Sequence, residues 1–212
     1  MPALPSRHQH RLARVFHDRR RRRIGLFGGS FNPAHEGHAH IADLAVKRLR
    51  LDEIWWLVTP QNPLKDSRDM APFKSRYESA KAMAGRCRYH QAMKVSALEA
   101  RLGLSQTALS LMAISRRAPR AGFFWIMGAD NLAGFHRWHR PRRIAATMPM
   151  IVINRPRQQA AALGSIGARI AGLRLTPERL ARKRPQPRQW CFIHGPVNPL
   201  SASAIRAQNN FH

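Results

Sequence analysis

The chain has 212 residues, enough for one α/β domain with a sizeable core, and 44% hydrophobic against 23% charged residues is a globular composition, not a disordered or fibrous one. The net charge is +26, yet the longest apolar run, residues 121–129, is nine residues, far below the ~20 that a membrane-spanning helix needs. The basic N-terminus has no apolar run behind it, so no secretory signal is expected, and two cysteines, Cys87 and Cys191, cannot make a disulfide framework or a four-cysteine zinc site, which fits a reduced cytoplasmic protein.

The positive charge is unevenly placed. Residues 1–23 carry +7 and residues 155–189 carry +8. With 31 Arg and only 6 Lys, the two basic flanks read as arginine-tinted solvated segments. The remaining positive charge would draw in anionic substrates such as nucleotides.

In chain order, residues 1–22 read as a basic arm, and residues 23–212 as one domain with a basic insertion near 155–189. Residues 23–28 (RIGLFG) are a short buried strand. Residues 37–51 have helical spacing, with Ile41, Leu44, Ala45 and Leu49 on one face. Residues 53–59 (EIWWLVT) are a second strand, and 61–69 a polar loop. A helix is predicted over 73–86, a short strand over 93–97 and a helix over 107–118. The strongly apolar stretch 122–127 (GFFWIM) is a strand. One or two short helices broken at Pro141 fill 131–147, followed by a strand over 150–154. The basic insertion reads as a loop with a helix at 160–173. A last strand covers 190–194 and a closing helix 201–208.

Strands alternate with helices, and the strands are continuous apolar runs. That pattern predicts a Rossmann-like, doubly wound, mainly parallel sheet with helices on both faces. Such sheets bind ligands beyond the carboxyl ends of their strands.

The stretch after the first strand is GGSFNPAHEGH, Gly28 to His38. Gly28 and Gly29 let a backbone approach a phosphate, and His35 and His38 stand three apart at a helix start, where the dipole favours anions. With Ser30 and Phe31 they form an expected cradle for a polyphosphate. An H-x-G-H pattern is expected about 0.03 times in a chain of this composition. The plainer alternative is two surface histidines capping a helix. A zinc site lacks a third ligand nearby. Near the C-terminus, Ser201 and Ser203 can cap a helix whose Arg206 presents a fork to phosphate oxygens.

These stretches resemble the H-x-G-H nucleotidyltransferase superfamily. NPLSASAIR, residues 198–206, is similar to its second signature. PQNPLK (60–65), GADNL (128–132) with Trp138, WWLV (55–58) and HGP (194–196) further resemble bacterial nicotinate-nucleotide adenylyltransferases, over about residues 23–206. The resemblance implies transfer of an adenylyl group from ATP to nicotinate mononucleotide, with Mg²⁺ carried on the ATP phosphates and no protein-bound metal. It implies His35, His38 and Arg206 as catalytic residues. It adds Gly128, Asp130, Ser201 and Ser203 on the ATP side, and Asn62, Lys65, Thr107 and Trp138 around the nicotinate nucleotide. Trp138 could stack on a pyridine ring or be a half-buried structural residue. SQTALSL (105–111) departs from the family's Y-T-x-D-T-L at Gln106, Leu109 and Ser110.

Two other readings stand beside this one. A sister adenylyltransferase would act on nicotinamide mononucleotide or phosphopantetheine. A basic nucleic-acid-binding protein would use the arm and the insertion, but no aromatics interleave the arginine runs, and nucleic acid is not the expected partner. No membrane partner is expected, and a homo-oligomer is left open.

Overall fold

The computed structural model of the chain describes residues 22–60, 70–154 and 158–195. The arm apart from Arg22, the loop 61–69 and the closing helix 201–208 lie outside the described residues.

Among these residues the strands are β1 (Arg23–Gly29), β2 (Glu53–Val58), β3 (Met93–Ser96), β4 (Gly122–Gly128), β5 (Met150–Ile153), β6 (Leu173–Leu175) and β7 (Gln189–Ile193). They form one seven-stranded sheet in the order β3-β2-β1-β4-β5-β7-β6. Every pairing is parallel, with β1 against β2 in register Leu26↔Trp55 and against β4 in register Leu26↔Trp125. This is the Rossmann-like α/β sheet that the apolar runs predict. Strands buried on both faces need no polar alternation, and β4 is buried from Phe123 through Gly128.

Helices α1 (Glu36–Leu49) and α2 (Phe73–Arg86) cover one face. On the other lie α3 (Leu98–Arg101), α4 (Thr107–Arg117), α5 (Ala129–Ala133) and α6 (Pro141–Ala145). Pro141 opens α6 at its first turn and does not break a helix, because a missing N–H costs nothing where no intrahelical acceptor exists.

Over its described part the basic segment is mostly regular structure and not a loop. It folds as α7 (Gln159–Leu163), α8 (Ile166–Ala171), β6 and α9 (Pro177–Arg182). The single helix predicted over 160–173 is two helices parted at Gly164. Ser165 then caps α8, its Oγ accepting from the Ala168 N–H at 3.0 Å. Ala162, Ala168 and Ala171 join the core of the second face, while Leu175 and Leu180 join that of the first. At the amino edge of the sheet, Arg23 donates to the carbonyls of Leu49, Leu180 and Lys183 and lies over the Phe124 ring at 4.8 Å. One guanidinium thereby gathers the ends of α1 and α9 beneath β1.

Candidate active site

β1 and β4 are neighbours that end at Gly29 and Gly128 on the carboxyl edge. From β1 the chain crosses by α1 to β2 on one side. It returns by α3 and α4 to β4 on the other, so these two strand ends flank the switch point of the sheet.

The loop after β1 is shaped from within. Phe31 adopts left-handed backbone, φ 48°, and turns its ring into the core. There it stacks on Trp56 at 5.1 Å and meets Phe27 at 5.6 Å and His38 at 5.1 Å edge-on. At 2% exposure the Phe31 ring is part of the core and packs against the His38 ring. Gly28 is likewise set by packing, since a Cβ there would stand 2.3 Å from the Trp125 ring. Asn32 Oδ1 accepts from the Ala71 N–H at 3.1 Å, and the Ala34 N–H donates to Ser79 Oγ at 3.0 Å. Both bonds moor the loop to residues 71–79.

The two histidines act as a pair. His35 is the N-cap of α1, and its Nδ1 accepts from the Gly37 N–H at 3.1 Å. His38 reaches back, its Nδ1 accepting from the His35 N–H at 3.2 Å. The two bonds are a reciprocal capping box with imidazoles in place of the usual hydroxyl and carboxylate. A ring nitrogen that accepts a hydrogen bond carries no proton, so each neutral ring bears its proton on Nε2. The helix backbone therefore fixes both tautomers and makes Nε2 the donor atom of each ring. The ring centroids are 3.9 Å apart, tilted by 47°. The capping and ligand readings are thus compatible, and His35 is no surface residue at 4% exposure.

The other expected residues fall as follows. Asp130 is exposed in the first turn of α5, beyond the end of β4. Thr107 opens α4. Trp138 is half-buried and packs edge-on against Trp125 at 6.3 Å and Phe135 at 5.6 Å, so it is anchored to the core of the second face. Asn62, Lys65, Ser201, Ser203 and Arg206 lie outside the described residues. Cys87 and Cys191 are buried, and burial pushes both thiols up to about 12, so both are protonated near neutrality.

Three residues escape the sequence reading. Trp125 supports Gly28. Arg76 and Glu99 are charged residues at buried positions. Arg76 had a visible signal, because it falls one turn before Ala80 on the buried stripe of α2. Glu99 accepts from Thr59 Oγ1 at 3.0 Å and also hydrogen-bonds Ser110. It ties the end of β2 to the first turns of α4. Ser110 thus keeps a working hydroxyl, whereas Leu109 points outward at 36% exposure.

Desolvation raises the Glu99 carboxyl above its ordinary value, with the bonds from Ser110 and Thr59 opposing. A carboxyl raised in the folded state stabilises below its unfolded value and loses that contribution as pH rises through the folded value. Glu99→Gln, an uncharged isostere, should therefore gain Tm relative to the parent as pH rises above the ordinary carboxylate range. Parallel Tm–pH curves for the two proteins would contradict this placement of the carboxyl.

A switch point that carries a tautomer-fixed imidazole pair defines a Rossmann-like protein with a nucleotide-type site. A family model described as cytidylyltransferase-like matches residues 26–208. Two curated relatives carry the name "probable nicotinate-nucleotide adenylyltransferase". The one from Brucella abortus (strain 2308) is 46% identical over 185 residues, covering 86% of this chain and 93% of its own. The one from Rhizobium johnstonii is 46% identical over 193 residues, covering 90% of this chain and 94% of its own. Among solved structures, the Plasmodium falciparum nicotinic acid mononucleotide adenylyltransferase complexed with NaAD aligns with a TM-score of 0.68 at 16% identity, covering 88% of this chain and 83% of that one. That likeness concerns the fold. The chain belongs to the cytidylyltransferase-like family, in its nicotinate-nucleotide adenylyltransferase branch.

Proposed function

We infer that the chain joins nicotinate mononucleotide to ATP, giving nicotinate adenine dinucleotide and pyrophosphate, a step of NAD biosynthesis. The observation that carries this reading is the imidazole pair whose Nδ1 atoms both accept backbone N–H groups at the switch point. The relatives named above support the choice of acceptor.

In the reaction an oxygen of the mononucleotide phosphate attacks the α-phosphorus of ATP in line. The new P–O bond forms as the α–β bridging bond breaks, and its electron pair leaves with pyrophosphate. No protein nucleophile is needed, so the enzyme acts by positioning and by stabilising charge on the phosphoryl oxygens. His35 and His38 donate from Nε2 to those oxygens. Backbone groups of Gly28, Gly29, Ser30 and Phe31 bound the triphosphate, with Gly128 and Asp130 towards the adenosine. Ser201, Ser203 and Arg206 hold the triphosphate from the far end of the sequence. Asn62, Lys65, Thr107 and Trp138 receive the nicotinate nucleotide.

The family's divalent cation is assigned as Mg²⁺. In this reading the ion is carried on the ATP phosphates and not in a protein cage. Bound to the phosphates, it would neutralise charge on the leaving group. Among the described residues no helix is long and apolar enough to cross a membrane. We assign the reaction to the cytoplasm on the two unpaired cysteines, Cys87 and Cys191, which suit a reducing compartment.

The test is pyrophosphate release from ATP and Mg²⁺ with nicotinate mononucleotide, nicotinamide mononucleotide or phosphopantetheine as acceptor. The acid nucleotide is expected to support the fastest release. Preference for either other acceptor would move the chain to a sister activity. Salt-sensitive RNA binding without turnover of any acceptor would remove it from catalysis.

A further inference from the structure

Arg76 is a buried cation that no step above uses. It is 2% exposed, and no carboxylate among the described residues is paired with it by an ion bridge. Its partners are main-chain carbonyls on three segments. Nε donates to Ala71 O at 2.9 Å, Nη1 to Ser30 O and Thr59 O at 2.8 Å each, and Nη2 to Pro60 O at 2.8 Å. Burying a guanidinium is costly, and burial here lowers its pKa. The planar fork offsets that cost by meeting four carbonyl acceptors at once.

The acceptors are not random. Ser30 lies in the loop that leads to His35. Pro60 and Ala71 flank residues 61–69, the stretch whose Asn62 and Lys65 are assigned to the acceptor nucleotide. The Thr59 N–H also donates to Gly29 O at 3.0 Å. The guanidinium is thus the shared anchor of the two strand ends that serve opposite substrates. The same helix holds the first loop again through Ser79 and the Ala34 N–H.

We propose that Arg76 is a positioning residue that locks the loop after β1 to both flanks of the 61–69 segment, setting how far the triphosphate stands from the attacking phosphate. In-line transfer is sensitive to such spacing, and misplacement by about 1 Å can cost a hundredfold. Lysine keeps the charge but has one nitrogen with three donors, so it cannot reach all four carbonyls.

This inference rests on the adenylyl-transfer reading, and wild-type turnover is measured alongside. Arg76→Lys, assayed below its measured Tm, is expected to raise KM for both ATP and nicotinate mononucleotide about tenfold and to lower kcat about tenfold. Ser79→Ala opens no buried charge site and releases only Ala34. It is expected to raise KM for ATP about threefold and leave the KM for the mononucleotide unchanged. A folded Arg76→Lys with unaltered KM values, or an Arg76→Lys that cannot fold while Ser79→Ala behaves as wild type, overturns the proposal in favour of a scaffold role. Wild-type protein that releases no pyrophosphate overturns the functional reading instead.

Discussion

His38→Ala is expected to lower kcat by about a hundredfold or more while the protein stays folded. A single donor aimed at charge that develops in the transition state contributes ~3–4 kcal/mol, which is a factor of a hundred to a thousand in rate. In the proposed mechanism His38 is that donor, because the His35 N–H occupies its Nδ1 and leaves Nε2 to donate. Two losses accompany the substitution, and they separate experimentally. Removing an N-terminal capping partner costs ~1 kcal/mol, so Tm should fall by only about 2–4 °C in a chain of this size. The edge contact with Phe31 disappears as well, but that ring keeps its stack on Trp56. Steady-state pyrophosphate release together with calorimetric Tm reads both effects. Near-normal kcat at an unchanged fold would end the donor assignment.

Gly167→Ala should have the largest effect on stability. A Cβ at this position would lie 1.9 Å from Leu132 O and 2.9 Å from Phe135 Cβ. The first is a backbone atom at the end of α5, so no rotamer change relieves the clash. Helix α8 would have to move off α5, breaking the approach that also lets Ser165 donate to Leu132 O at 3.4 Å. Overpacking of this kind costs about 3 kcal/mol, or about 6–12 °C in Tm. A fall of less than about 2 °C would mean that the two helices pack less closely than described.

The same pair of helices explains where the sequence was opaque. β1, β2, β4 and β5 announce themselves because a strand covered on both faces has to be apolar throughout, as GFFWIM is. α1 is legible for the matching reason, with Ile41, Ala45 and Leu49 on its buried side. The segment 158–188 carries no such signal. Its contributions to the second-face core are Ala162, Gly167, Ala168 and Ala171, small residues whose value is close approach and not apolar area, and the leucines that reach the first face, Leu175 and Leu180, are isolated. β6 is three residues with two exposed, too short to display a period.

The site divides along a similar line. The imidazole pair could be read from spacing alone, because three residues at a helix start return to one side. The bonds that fix its tautomers could not, since histidine is an uncommon cap. The glycines were legible as a requirement but not for its cause at Gly28, where the obstacle is the Trp125 indole of the next strand. Glu99 looks like any helical glutamate until Thr59 and Ser110 are seen to close over it.

The two rims of the sheet govern how copies of this chain meet in a crowded solution. A parallel sheet leaves an unpaired row of amides at each outer strand, which is a template for fibrillar growth. Among the described residues those outer strands are β3, four residues with Lys94 inside it, and β6, three residues with Arg174 at its middle and Pro177 two positions beyond its end. Neither is long enough to recruit a neighbour's backbone, and each sets a cation where a second strand would dock. The most hydrophobic element, β4, is sequestered at the centre, so the native protein hides its strongest self-adhesive segment from its own kind.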